Sequence, residues 1–161
     1  MGKRPMRACD NGLEMVQTAQ ITAVLVAALN AAVAVAGGWA WWRAQTPAAL
    51  WLAWRAAQLF TTLLAAVAAA GLISGFDPGD GLFWLYMLLP ITVSIIAEQL
   101  RIAAAQTVLD QRGLADAQAV GELPEEEQAA IVEEIVARET AVVALAGLVV
   151  SFLALRVLMT L

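Results

Sequence analysis

Four stretches of this chain are predominantly apolar over some twenty or more residues, and that feature restricts the fold more than any other. A membrane's hydrocarbon core is about 30 Å thick and a helix advances about 1.5 Å per residue, so about 20 apolar residues cross it. Inside the core each backbone amide must be satisfied within its own segment, which makes helix the element such a run forms. Composition agrees: 61% of the 161 residues are hydrophobic and 14% charged, against about 45–50% and 25% in ordinary soluble domains. The chain reads as an all-α membrane protein, a bundle of four transmembrane helices.

The spans are expected at about 21–42, 47–74, 81–109 and 140–161, forming a single domain over 21–161 behind a polar N-terminal tail at 1–20. The second opens on Thr46-Pro47, a hydroxyl cap with proline at the first helical position, and Gly75 can end it. Turn formers crowd Gly75 to Gly81, so Asp80 is expected to cap the third helix and Pro90 to kink it. The first span exceeds the 7–15 apolar residues of a cleaved signal and three more follow it, so it is expected to be retained. Tryptophan supports this map, because amphipathic rings collect at headgroup level. Trp39, Trp41, Trp42, Trp51 and Trp54 would gather on one membrane face, and Phe76, Phe83, Trp84 and Tyr86 on the other.

One substantial polar region, 110–139, separates the third and fourth spans. Gly113 and Gly121 divide it into a short Ala-rich piece and a helix starting at Pro124, with Glu125, Glu126 and Glu127 in the first turn, where the helix dipole favours negative charge. Ile131, Val132, Ile135 and Val136 form an apolar stripe, and Glu134 precedes Arg138 by four residues. This amphipathic helix is expected to run on into the fourth span and protrude from the membrane. Arg43, Arg101, Arg112 and Arg138 flank the ends on this side, while Lys3, Arg4 and Arg7 lie on the other at a distance from the first span. That balance leans towards a cytoplasmic 110–139 segment with both termini outside.

The residues present exclude much chemistry. There is no His and one Cys, so the usual general base, the usual zinc or haem ligand and an intrachain disulfide are all missing. A formal charge of −5 argues against nucleic acid, which demands clustered Lys and Arg. No HExxH, Walker, CxxC or GxSxG pattern occurs. The Glu125–Glu127 run fans around its helix, which fits a solvated first turn better than a cation site. No catalytic residue, cofactor or metal site is therefore expected, and Cys9 reads as incidental.

Ionisable and polar groups inside the spans are the candidate functional residues, because burying a charge at the bilayer centre costs about 2.5–3.5 kcal/mol or more. Arg55 lies about 12 Å along its helix from Pro47 and is expected to snorkel to the interface beside Trp51 and Trp54. Glu98 and Arg101, spaced i, i+3, share a face, with Ser94 one turn above Glu98. Glu98 lies about 25 Å down the third helix, close to the membrane boundary. The pair either locks its helix against neighbours or makes Glu98 a proton or cation ligand tuned by Arg101, and both readings point Glu98 inward. Asn30, mid-span, is expected to hydrogen-bond another helix. Ala27/Ala31, Ala34/Gly38, Ala65/Ala69 and Ala66/Ala70 have the spacing that lets membrane helices approach closely.

The run from Tyr86 through Pro90 to Ser94, then Ala97 to Ala103, Gln106 to Asp110, Gln118 to Gly121, Leu123-Pro124 and Arg138-Glu139, resembles uncharacterised four-span integral membrane proteins of actinobacteria. The resemblance covers roughly the C-terminal half. It implies a bacterial cytoplasmic membrane and carries no functional residue. The expectation is a non-enzymatic accessory or assembly component, with the bilayer and a further copy or another membrane protein as partners. The alternative is a small oligomeric channel or transporter with Glu98 near a proton or cation pathway. An enzyme acting on lipid ranks third, because nothing supplies a nucleophile–base pair.

Overall fold

The computed structural model describes residues 5–160, with side chains from Gly12 onward. The expectations placed on Lys3, Arg4, Arg7 and Cys9 lie outside the residues so described. Among the described residues five helices follow in order: α1 Pro5–Trp42, α2 Ala48–Ser74, α3 Gly81–Gln111, α4 Ala117–Gly121 and α5 Glu125–Val157. All but α4 are long and apolar enough to cross a membrane, and the chain is a multi-pass integral membrane protein. The four run up-down-up-down, with α1 and α3 each packed against both α2 and α5.

Helix boundaries follow local chemistry. Gly75 adopts the left-handed φ of 72° that closes α2, donating to Leu72 while the Phe76 amide reaches back to Gly71. Asp80 caps α3 as expected, its carboxylate accepting from the Leu82 amide at 2.9 Å. α3 is helical through Pro90 and ends before Gly113, at φ 69°. Asp116 caps α4 by accepting from the Gln118 and Ala119 amides.

Three expectations need correction. The 1–20 tail is helical from Pro5, because Ala19, Ala23 and Val26 continue the buried stripe of α1 and so extend the helix towards its N-terminus. Thr46 does not cap α2. Pro47 occupies the cap position, and the Thr46 hydroxyl instead meets Thr140 of α5 at 2.9 Å. Trp54 and Phe83 are no members of the interfacial belts: each is 1% exposed and turned into the bundle, while Trp39, Trp41 and Trp42 are exposed.

Two apolar clusters fill the bundle. Towards the 75–80 turn, Val26, Leu64, Phe83, Met87, Val150 and Val157 pack together, with Phe76, Phe83 and Trp84 in edge-to-face contact. Towards the other end lie Val33, Leu50, Trp54, Ala57, Ala97 and Val143. Between the two, α1 and α5 come nearly to backbone contact. A Cβ on Gly147 would sit 2.8 Å from the Asn30 carbonyl oxygen, and one on Gly37 would sit 3.1 Å from the Ala144 Cβ. The Ser151 hydroxyl donates to the Ala27 carbonyl across this seam at 3.0 Å. Of the small-residue pairs singled out in the sequence, Ala27 and Ala34 border this seam. Ala66, Ala69 and Ala70 are exposed on the outside of α2.

Past Arg101, α3 continues about 15 Å beyond the bundle alongside the first half of α5. A third cluster of Val108, Leu109 and Ile131, with Leu114, Val120 and Leu123 against it, joins α3, α4 and α5 there. Arg112 and Arg138 both bind Glu134, at 3.0 and 2.8 Å. The hydrogen bond from Arg112 is the chief cause holding the Glu134 carboxyl below its ordinary value of 4.5.

Candidate functional site

The charged residues singled out in α2 and α3 meet where the bundle gives way to this extension. Gly81 to Glu98 is long enough to bring α3 to that level, and the α2 N-terminus arrives from the Gln45–Pro47 turn at the same height. Position 98 lies one residue from the buried Ala97, so its side chain leaves the core at the α2–α3 seam.

There the Glu98 carboxylate accepts from four side chains. Oε1 takes the Trp54 indole N–H at 2.8 Å, the Gln58 amide, and Arg55 Nη1 at 3.4 Å. Oε2 takes Arg101 Nη1 at 3.1 Å. Arg101 turns its other terminal nitrogen to Glu139 of α5 at 2.9 Å, and its guanidinium lies 4.6 Å from the centroid of Trp51. Two arginines thus face two carboxylates, and the network ties α2, α3 and α5 together without net charge.

Arg101 is the hinge of the arrangement because its fork can address two carboxylates while its flat face stacks on an indole, which an ammonium cannot do. Its side chain is 15% exposed, against 64% for Arg55. Arg55 also donates to Gln58 at 2.9 Å, one turn further into the span and not back towards the boundary beside Trp51, and so closes the network's rim.

Asn30 and Ser94 stand apart from this site. Asn30 is buried and donates to the Val26 carbonyl of its own helix at 2.9 Å. Its interhelical contact, to the Thr61 hydroxyl, lies at 3.5 Å, the outer limit for such a bond. Ser94 is buried on the Glu98 side of α3, but among the described residues its hydroxyl has no partner and does not meet Glu98. Along their helices, Asn30, Thr61 and Ser94 each fall between the two apolar clusters, as a thin polar layer across mid-bundle.

Sequence reasoning missed Trp54, Gln58 and Glu139. Gln58 was within reach, since it stands four residues after Trp54 and three after Arg55 and therefore shares their face. Glu139 carries no such signal, because its partner lies 38 positions away on another helix. Among the described residues no group of three or more metal-ligating side chains converges. The chain matches no known family, no curated protein and no solved structure.

Proposed function

We propose that this protein is a non-enzymatic accessory or assembly component of the bacterial cytoplasmic membrane, whose 110–139 segment meets a partner. The observation that carries this reading is the occupied state of Glu98. A carboxylate whose charge is already met by the Trp54 and Gln58 N–H groups and faced by the guanidinium groups of Arg55 and Arg101 repels a further cation and gains little from a proton, which supports a charge that serves helix packing. The bacterial membrane rests on the resemblance carried by the C-terminal half.

The partner's chemistry follows from charge. Residues 110–139 contain nine Asp and Glu against two Arg, and both arginines are engaged with Glu134. The free carboxylates of Glu122, Glu125, Glu126, Glu127 and Glu133 are all exposed. A surface rich in Lys and Arg complements them and steers encounter at low salt. The channel reading draws on the partial exposure of the Glu98 side chain, 28%.

One pair of measurements separates the two readings. Purified protein in proteoliposomes is assayed for proton, Na⁺ and K⁺ flux, and wild type and Glu98→Gln are compared for thermal stability in detergent. Packing predicts no flux and a less stable variant. Flux in the wild type that Glu98→Gln abolishes, with stability unchanged, would reject it.

A further inference from the structure

The lipid-facing side of α1 carries a feature that none of the foregoing uses. Two adjoining hollows share it: an open groove of about 970 Å³, with Ala32, Val35, Ala36, Trp39 and Trp42 among its lining, and a second of about 650 Å³ nearer the end of the bundle, where Ala36 and Trp39 meet Arg43, Gln45 and Thr46. Ala32, Ala36, Trp39 and Arg43 recur at spacings of four, three and four, so the apolar floor and the cation lie on one helix face. The guanidinium of Arg43 stacks 4.5 Å from the centroid of Trp39. Among the described residues it pairs with no carboxylate, whereas Arg55, Arg101, Arg112 and Arg138 all do.

We infer that this groove binds one anionic glycerophospholipid, an acyl chain along the α1 floor and the headgroup phosphate against Arg43. Depth favours that occupant. Ala32 to Arg43 is about 16 Å of helix, close to the thickness of one leaflet's hydrocarbon layer. In the opposite leaflet the same helix bears the bulkier, exposed Ile21, Val24 and Leu25, and the low floor ends there. A second transmembrane helix would need a low floor across both leaflets. An acyl chain needs it across one. Charge supplies the headgroup class: an unpaired guanidinium flanked by the Gln45 amide at headgroup level offers donors and positive charge to a phosphate, and prefers a lipid with net negative charge to a zwitterion.

The test is native mass spectrometry of the full-length protein from micelles doped with equal phosphatidylglycerol and phosphatidylcholine of the same chain length. Wild type is expected to retain one phosphatidylglycerol with a preference of about fivefold, the factor that one arginine near the surface supplies. Arg43→Lys should keep most of that preference and Arg43→Gln should lose it. Arg156→Gln, which removes an arginine at the opposite end of the bundle, should leave it intact. Val35→Trp, at an exposed position where folding is not at stake, should reduce retention of both lipids by filling the floor. The inference is overturned by a wild type without preference, by a preference that survives Arg43→Gln, or by equal loss in Arg156→Gln. Quantitative disulfide-linked dimer from Ala32→Cys in a Cys9→Ser background would also overturn it, by assigning the groove to a second copy.

Discussion

Adding a single methyl group at Gly147 should force α1 and α5 apart. The new Cβ would lie 2.8 Å from the Asn30 carbonyl oxygen and 3.2 Å from the Ala34 nitrogen, where ordinary contact begins at 3.4 Å. Both obstacles are backbone atoms of a helix, so neither can swing aside, and relief requires a separation of about 0.6 Å. One turn further along, the bond from Ser151 to Ala27 would open from 3.0 Å to about 3.6 Å, beyond hydrogen-bond range. Overpacking of this kind costs about 1–3 kcal/mol, and the lost interhelical bond about 0.6 kcal/mol. Alanine's better helix propensity returns about 1 kcal/mol. Gly147→Ala should therefore be less stable by about 0.6–2.6 kcal/mol on these terms combined. The assay is reversible unfolding in mixed detergent–SDS micelles, followed by helicity and by the fluorescence of the six tryptophans. Gly38→Ala is the control, since nothing lies within 4 Å of its Cβ, and it should be neutral or up to about 1 kcal/mol more stable. If the two variants unfold at the same SDS fraction, the claim that backbone proximity holds α1 against α5 is refuted.

Other substitutions address the polar network and the extension. Glu98→Gln keeps an acceptor for Trp54 but removes the charge facing Arg55 and Arg101, and should cost about 1–2 kcal/mol in the same assay, less than a fully buried pair because the site is partly exposed. Arg101→Lys retains the charge yet loses both the fork and the stacking on Trp51, so it should destabilise rather than behave as a conservative change; an unchanged unfolding midpoint would contradict that. Arg112→Ala should raise amide hydrogen exchange in residues 114–123 while leaving α1 and α2 protected. The Glu134 contact also fixes a pH window: a depressed carboxyl contributes stability that is present above its unfolded value of 4.5 and lost as pH falls through the lower folded value. Protection of the extension's amides, taken relative to their intrinsic exchange rate at each pH, should accordingly fall only in acid below 4.5, and a fall in protection near neutrality would count against the assignment.

Spans and turns were legible because their causes are local. Gly75 and Asp80 announce a left-handed turn and a cap through their own chemistry, and hydropathy marks the helices between them. The Glu98–Arg101 pair was legible for the same reason, since both residues sit on one helix three positions apart. What spacing could not supply was the neighbour. Trp51 and Trp54 are three residues apart at one membrane boundary, and belt statistics assign both to the interface. Only the packing of α3 against α2 turns Trp54 inward to Glu98. Alanine richness hid the real seam in a similar way: Ala66/Ala70 and Ala34/Gly38 look alike in sequence, yet the former face outward while the latter helix meets Gly147. The helical start at Pro5 was missed because polar residues interrupt the hydropathy of 12–20, although Ala19 and Ala23 keep the buried phase of α1 running beneath them.

α5 is one uninterrupted rod of 33 residues, from the acidic extension to the seam with α1. Torsional phase is therefore shared along its whole length. Inserting one residue between Val136 and Thr140 would turn the outer half by about 100° against α3, carrying Glu134 away from Arg112 while Gly147 kept its place. Whatever twists the exposed end is thus transmitted, with no swivel to absorb it, to the close backbone approach of α1 and α5 at Gly147.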